Sequence, residues 1–164
     1  MYTISFDQAS SDTGYSVFKG DELLDYGKFK AKGSDFFDRV VETRDFIDSI
    51  IGAYDLDQVA TIALEDIQFQ GFRGGNVVTF KRLAQLQGIL ILHIQEKYSV
   101  DVELANASQW KSYNGVKGRG RTEQKRNAQK LVGDLYGLSV TQDEADAILL
   151  GRFFANQSMN WGGL

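Results

Sequence analysis

The chain opens on a strict alternation. Tyr2, Ile4 and Phe6 are apolar and Thr3, Ser5 and Asp7 polar, the period of a strand with two unlike faces. Residues 8–13 are polar and read as a loop. Residues 14–18 form a second strand, 19–22 a turn and 23–30 a third strand, so the start is an antiparallel meander. The period then changes. Phe36, Phe37, Val40, Val41, Phe46, Ile47, Ile50 and Ile51 recur at helical spacing, behind a candidate N-cap at Ser34 and up to Gly52. Residues 59–64 are a continuous apolar run, the mark of a strand buried on both faces, and it ends on Glu65. A glycine-rich loop (68–76), a long apolar helix (77–97) and a short strand (100–104) follow.

Residues 107–120 are polar and glycine-bearing, and read as a loop that stays mobile until a ligand orders it. Thr122 is positioned to cap a helix ending near Gly137. Thr141, Gln142, Asp143 and Glu144 have the spacing of a capping box and open a last helix to about Phe154, with 156–164 expected to fray. The order βββαβαβαα predicts one α/β domain over 1–164, built on a mixed sheet with helices on both faces.

Composition narrows the chemistry. A chain of 164 residues is long enough to bury a real core. It has no cysteine and one histidine, His93. Disulfides and thiolate-zinc sites are excluded, and a Ser-His-Asp triad would have to use that histidine. Inside an apolar helix, His93 reads as a packed or interface residue. No apolar run reaches the roughly 20 residues of a membrane span, and the N-terminus lacks a signal peptide's regions. The expectation is a cytoplasmic protein with no membrane partner, whose chemistry falls to carboxylates.

The formal net charge is −4, which by itself argues against nucleic acid. Its distribution reverses that. Residues 107–130 hold Lys111, Lys117, Arg119, Arg121, Lys125, Arg126 and Lys130 against Glu123 alone, a local charge of +6 that leaves −10 elsewhere. Arg73, Lys81 and Arg82 add to it from the glycine-rich loop and the helix after it. Such a cluster is the footprint of phosphate binding, the competing reading being a solvated loop. Phe69, Phe72, Trp110 and Tyr113 interleave and are candidates to stack on unpaired bases, although Trp110 reads better as core. Gly71 to Gly75 lack the Lys-Ser/Thr ending of a phosphate-binding P-loop. The helix over 77–97 is apolar on more than one stripe, and the surplus predicts a homodimer interface.

Four acids stand out. Asp7 and Glu65 close two strands, and taken singly either reads as a solvated strand end. Asp143 and Asp146 are three apart, so they share a helix face. Asp146 lies between Ala145 and Ala147 at the edge of an apolar run and needs a partner, for which a metal ion is one candidate. Glu144 has a sufficient task in the capping box. Hard divalent cations such as Mg²⁺ or Mn²⁺ take oxygen ligands, and two of them ~3.5–4 Å apart can drive phosphodiester hydrolysis without histidine or cysteine.

Asp7-Gln8-Ala9-Ser10-Ser11-Asp12-Thr13-Gly14-Tyr15 resembles the opening motif of RuvC-type Holliday junction resolvases, where Asp precedes Pro-Gly-Ser and then Thr-Gly-Tyr. Leu64-Glu65 resembles their second acidic motif, and Asp143-Glu144-Ala145-Asp146-Ala147 their C-terminal pair of acids. The order of motifs agrees along nearly the whole chain, and its length and divergence look most like the phage-encoded branch, such as the lactococcal phage resolvases. The resemblance implies an RNase H-like fold with a five-stranded mixed sheet, its first three strands antiparallel and its first, fourth and fifth parallel. It also implies a homodimer that cuts four-way DNA junctions by hydrolysis dependent on Mg²⁺ or Mn²⁺, with two ions per site held by Asp7, Glu65, Asp143 and Asp146. Lys111 and Lys125 match basic positions that would contact DNA or the scissile phosphate, Lys125 in a catalytic role. A phage enzyme would act in the host cytoplasm, and no branch-migration partner is evident. Gln8 and Ala9 depart from Pro-Gly, and Gln68 stands where the cellular enzymes carry a junction-inserting Phe, with Phe69 one residue later. Two other readings stay open: an RNase H-fold nuclease acting on hybrids or on branched DNA in general, and a silent DNA-binding module. Retention of all four acids argues against silence.

Overall fold

The alternation of the first strand becomes two-sided packing. β1 (Tyr2–Gln8), β2 (Asp12–Lys19), β3 (Glu22–Lys30), β4 (Val59–Asp66) and β5 (Val102–Asn106) form one sheet in the order β3-β2-β1-β4-β5. β2 runs antiparallel to both β1 and β3, whereas β4 runs parallel to both β1 and β5. This is the mixed sheet that the element order predicts. The computed structural model describes residues 1–69 and 76–161, the side chains of 158–161 excepted.

Helices cover both faces. α1 (Phe36–Ile51) and α2 (Val77–Tyr98) pack on Ile4, Phe6, Ile62 and Leu64 through Val40, Ile47, Leu86, Leu90 and Ile94. α3 (Ala107–Asn114), α4 (Arg121–Tyr136) and α5 (Gln142–Trp161) pack on the other face, where Trp110, Val132, Ile148 and Leu149 meet Ala63 and Ala105. The first face is filled by branched and aromatic side chains. Most strand positions beneath α5 are small, Ser5, Ser16, Gly14 and Ala63, with Phe18 the large exception.

Small residues let α5 lie almost on the backbone of the sheet. A Cβ on Gly151 would run into the hydroxyls of Ser5 and Ser16, and one on Gly14 into the carbonyl oxygen of Asp143. Ser5 and Ser16 are cross-strand partners, fully buried, with hydroxyls 2.7 Å apart. The Ala147 carbonyl oxygen lies 3.1 Å from the first hydroxyl and 2.9 Å from the second. One hydroxyl donates to the other, which donates to α5, so neither is left unsatisfied under the helix.

Several elements differ from the sequence reading. The cap of α1 is Asp35, whose carboxylate accepts from the Asp38 amide at 2.9 Å, rather than Ser34. The loop expected over 107–120 is half helix: Asn106 and Gln109 cap α3 reciprocally, a capping box built from amides instead of Thr and Glu. α4 begins at Arg121 with no side-chain cap, so Thr122 does not serve. Half of the polar stretch over 8–13 is strand, leaving only residues 9–11 between β1 and β2. α5 continues to Trp161, past the expected end at Phe154. α2 is long and apolar enough to cross a bilayer by those two measures alone, contrary to the reading of the sequence. Leu86, Leu90 and Ile94 hold it on the sheet.

Gly151→Ala is expected to lift α5 and cost about 1–3 kcal/mol by overpacking, whereas Gly133→Ala, whose Cβ would meet only the Leu138 carbonyl oxygen at 3.4 Å, should cost far less. Denaturant unfolding of the two variants checks the difference.

Candidate active site

Asp7 belongs to the face of β1 that carries Thr3 and Ser5, and so points toward α5. Its cross-strand partner is Gly14, over which the Asp143 carbonyl sits. On its other side the parallel ladder ends at Phe6 and Leu64. Glu65, next along β4, shares the face of Ala63 and lies beside Asp7. Asp143 and Asp146 come from the first turns of α5. Thr141 and Glu144 form the expected cap: the Thr141 amide donates to Glu144 Oε2 at 2.7 Å, and Thr141 Oγ1 accepts from the Glu144 amide at 3.4 Å. That cap takes Glu144 out of the group and leaves the other two acids facing the strand ends.

The four carboxylates bear on one another. Burial holds Asp7 well above the usual carboxylate range, and the charges of Glu65, Asp146 and Asp143 push it further. Burial also raises Glu65, against a hydrogen bond from the Trp110 indole N–H to Oε2 at 2.8 Å. Asp146 is pushed up to about 6, chiefly by burial, while Lys111 and Lys125 pull it back. Asp7 and Glu65 are therefore not solvated strand ends, because α3 and α5 bury them.

The donors are all carboxylate oxygens, the set that a hard divalent cation takes. Asp146 Oδ1 is buried without a hydrogen-bond partner, an orphan that a cation would satisfy. The residues therefore fit a magnesium-class ion. As the side chains stand, no three acids or histidines among the described residues converge on one point at ligating distance.

The basic segment divides. Lys111, Lys125 and Arg121 lie close enough to the acids to act on their charges. Lys111 Nζ also sits 5.2 Å from the centre of the Trp110 ring and reaches Gln124 Oε1 at 3.5 Å. Lys117, Arg119 and Arg126 are exposed. Lys130 pairs within α4 with Asp134, at 2.6 Å. The glycine-bearing loop is tied to α4 rather than loose. Asn127 Nδ2 donates to the Lys117 carbonyl at 2.6 Å, and the Arg119 amide donates to Glu123 Oε2 at 2.8 Å. Phe69 is 47% exposed and packs edge-on against Phe80. Phe72 and Arg73 lie outside the described residues.

Four residues enter that the sequence reading left out or read as inert. Gln8 Nε2 donates to the Glu65 carbonyl at 2.7 Å. Trp110 is core, as expected, and also bonds Glu65. Lys28 of β3 reaches Asp143 Oδ2 at 3.4 Å. Gln87 of α2 accepts from the Ile67 amide at 3.0 Å and donates to Asp66 at 3.1 Å, holding the chain as it leaves β4. Only Gln8 carried a signal, a polar residue with a reach of its own directly after the strand-end acid.

Comparisons with known proteins agree with this geometry. Residues 3–151 match the family model described as crossover junction endodeoxyribonuclease RuvC. No curated protein matches the sequence. Among solved structures, Thermus thermophilus RuvC in complex with a Holliday junction substrate is similar at a TM-score of 0.75 and 16% identity, over 98% of this chain and 96% of that one. A second Thermus thermophilus RuvC structure gives 0.72 and 17%, over 98% and 97%. The yeast mitochondrial Holliday junction resolvase Ydc2 gives 0.56 and 14%, over 98% and 80%. The fold is thus RNase H-like, of the RuvC kind. With the family model spanning the strand-end acids and both acids of the last helix, the chain belongs to the RuvC family of crossover junction endodeoxyribonucleases.

Proposed function

We propose that this chain resolves four-way DNA junctions by metal-dependent phosphodiester hydrolysis, with Asp7, Glu65, Asp143 and Asp146 as the metal ligands. One observation carries the reading. Acids from three separate elements meet at the same end and on the same face of the sheet, and Asp146 Oδ1 is buried there without a partner. Mg²⁺ or Mn²⁺, two ions per site, would supply an activated water and a charge to steady the leaving oxygen. The protein's part is to hold four carboxylates rigidly and to present the phosphate. Lys111, Lys125 and Arg121, charged neighbours of those acids, would grip the scissile phosphate, Lys125 in a catalytic role. Lys117, Arg119, Arg126 and Arg73 would follow the backbone on either side. Phe69, and Phe72 beyond it, would stack on bases exposed at the branch.

A homodimer through α2 fits this task. Val77, Val78 and Leu92 are exposed on it at 52, 56 and 56%. Two-fold symmetry would give two sites for two strands of one junction. The enzyme would work in the cytoplasm, where its DNA is, with no branch-migration partner required.

The test offers a synthetic four-way junction, a duplex, a flap and an RNA–DNA hybrid, each with Mg²⁺ or Mn²⁺. Selective cleavage of the junction is expected. Equal cleavage of duplex and junction would leave a nuclease of another kind, and no cleavage of any substrate would leave a DNA-binding module. Asp7→Asn, Glu65→Gln and Asp146→Asn are each expected to reduce cleavage to background while junction binding in chelator persists; near-normal cleavage by any one removes that residue from the ligand set. Lys117→Ala or Arg126→Ala should weaken junction binding and reduce the slope of log K against log salt by roughly one, which a salt titration reads directly.

Burial also predicts a pH effect on the metal-free protein. Asp146 titrates near 3.8 when unfolded and near 6 when folded, so the folded state holds the extra proton between those values. Stability in chelator should therefore fall as pH rises through that window, by on the order of 2–3 kcal/mol from this residue. Asp146→Asn should melt roughly 5 °C above wild type at pH 7.5 and close to it at pH 4. Thermal melts in chelator check this.

A further inference from the structure

We propose that Trp110 is a positioning residue for Glu65, which sets how that carboxylate meets a cation; the inference rests on the metal-dependent reading above. Trp110 is fully buried, the largest such side chain among the described residues. A buried indole N–H must find an acceptor. Here the acceptor is Glu65 Oε2, at 2.8 Å, a site carboxylate rather than a backbone carbonyl. A bond to an ionised acceptor is among the stronger ones. It commits Oε2 and leaves Oε1 as the oxygen that faces a cation.

The hold on Glu65 is double. Gln8 Nε2 donates to its backbone carbonyl at 2.7 Å, continuing the β1–β4 pairing past its last rung. The strand is thus fixed from β1 and the carboxylate from α3. Trp110 is itself tied to α5, since Asn114 Nδ2 donates both to the Trp110 carbonyl at 2.7 Å and to the Leu149 carbonyl at 2.9 Å. An unbroken path of bonds therefore runs from the helix bearing Asp143 and Asp146, through Asn114 and Trp110, to Glu65. The same indole ring lies under the Lys111 ammonium, so one side chain sets both the acid and the base beside it.

Trp110→Phe keeps a buried ring and removes the N–H. Mn²⁺ binding to the full-length variant, followed by calorimetry and by electron paramagnetic resonance, should be about 10–100-fold weaker than wild type. Cleavage should fall at low Mn²⁺ and recover in excess Mn²⁺, with junction affinity in chelator close to wild type and the variant, although it melts lower, still folded at the assay temperature. Mn²⁺ binding as tight as wild type overturns the proposal. If Glu65→Gln is inactive in that case, the nuclease reading stands and only the role of Trp110 is lost. A second measurement does not depend on Trp110→Phe folding. The chain has two tryptophans, so indole ¹⁵N labelling gives two N–H signals, assigned with Trp161→Phe. The Trp110 signal should move on Mg²⁺ addition and in Glu65→Gln; a signal unmoved by both overturns the proposal.

Discussion

The structure turns on how closely α5 approaches the sheet. A helix normally rides on side chains about 10 Å above its neighbour's backbone. Here Gly14 offers no side chain below, Gly151 offers none above, and the two hydroxyls of Ser5 and Ser16 fill what remains by bonding to the Ala147 carbonyl. This seating brings Asp143 and Asp146 down to the strand end where Asp7 sits. The approach is short-range and polar, so it fixes height and register in a way that a layer of leucines would not. The opposite face, packed with Ile, Leu and Phe, supplies the bulk of apolar burial and tolerates a thicker layer. One face stabilises the fold and the other aligns charge.

Alignment of charge is costly. Three of the four acids are buried enough to be pushed upward, and neighbouring carboxylates push further: Glu65, Asp146 and Asp143 on Asp7, Asp146 on Glu65, and Asp143 on Asp146. The protein offsets this locally: Trp110 bonds Glu65, Lys28 reaches Asp143, and Lys111 and Lys125 flank Asp146. The offset is partial, and Asp146 Oδ1 keeps no partner. A fold selected only for stability would place an apolar residue there. The net charge of −4 averages over this arrangement and hides it, because the cations of α3 and α4 and the acids they face lie together in space while their signs cancel in the sum.

Much of this was legible because period and spacing survive folding. The alternation of β1 put Asp7 opposite Ile4 and Phe6, and the three-residue spacing put Asp143 and Asp146 on one face. What was not legible depends on the other side of a contact. Asp7 and Glu65 look like solvated ends until α3 and α5 cover them. α3 escaped because its sequence is polar and its cap uses Asn106 and Gln109, residues as common in loops. Gln8 stands out in the sequence as a departure from Pro-Gly, but its partner appears only when β4 lies within 2.7 Å of its amide. The loop over 115–120 looked mobile from its glycines, whereas Glu123 in the first turn of α4 and Asn127 one turn further along tie it down.

The single histidine lies in a different part of the fold from the four acids. α2 leaves the sheet beside the acids and ends at Tyr98, at the opposite pole of the parallel strands. There Asp48 of α1 gathers His93 at 2.8 Å, Lys97 at 2.7 Å and Tyr98 at 2.8 Å. Those bonds lower the Asp48 carboxyl against the burial that would raise it. The cluster clamps α1 to α2 far from Asp7, and His93 is engaged there in a structural bond. Composition leaves one histidine for a Ser-His-Asp triad, and its bond to Asp48 sets it at the pole opposite Asp7, Glu65, Asp143 and Asp146.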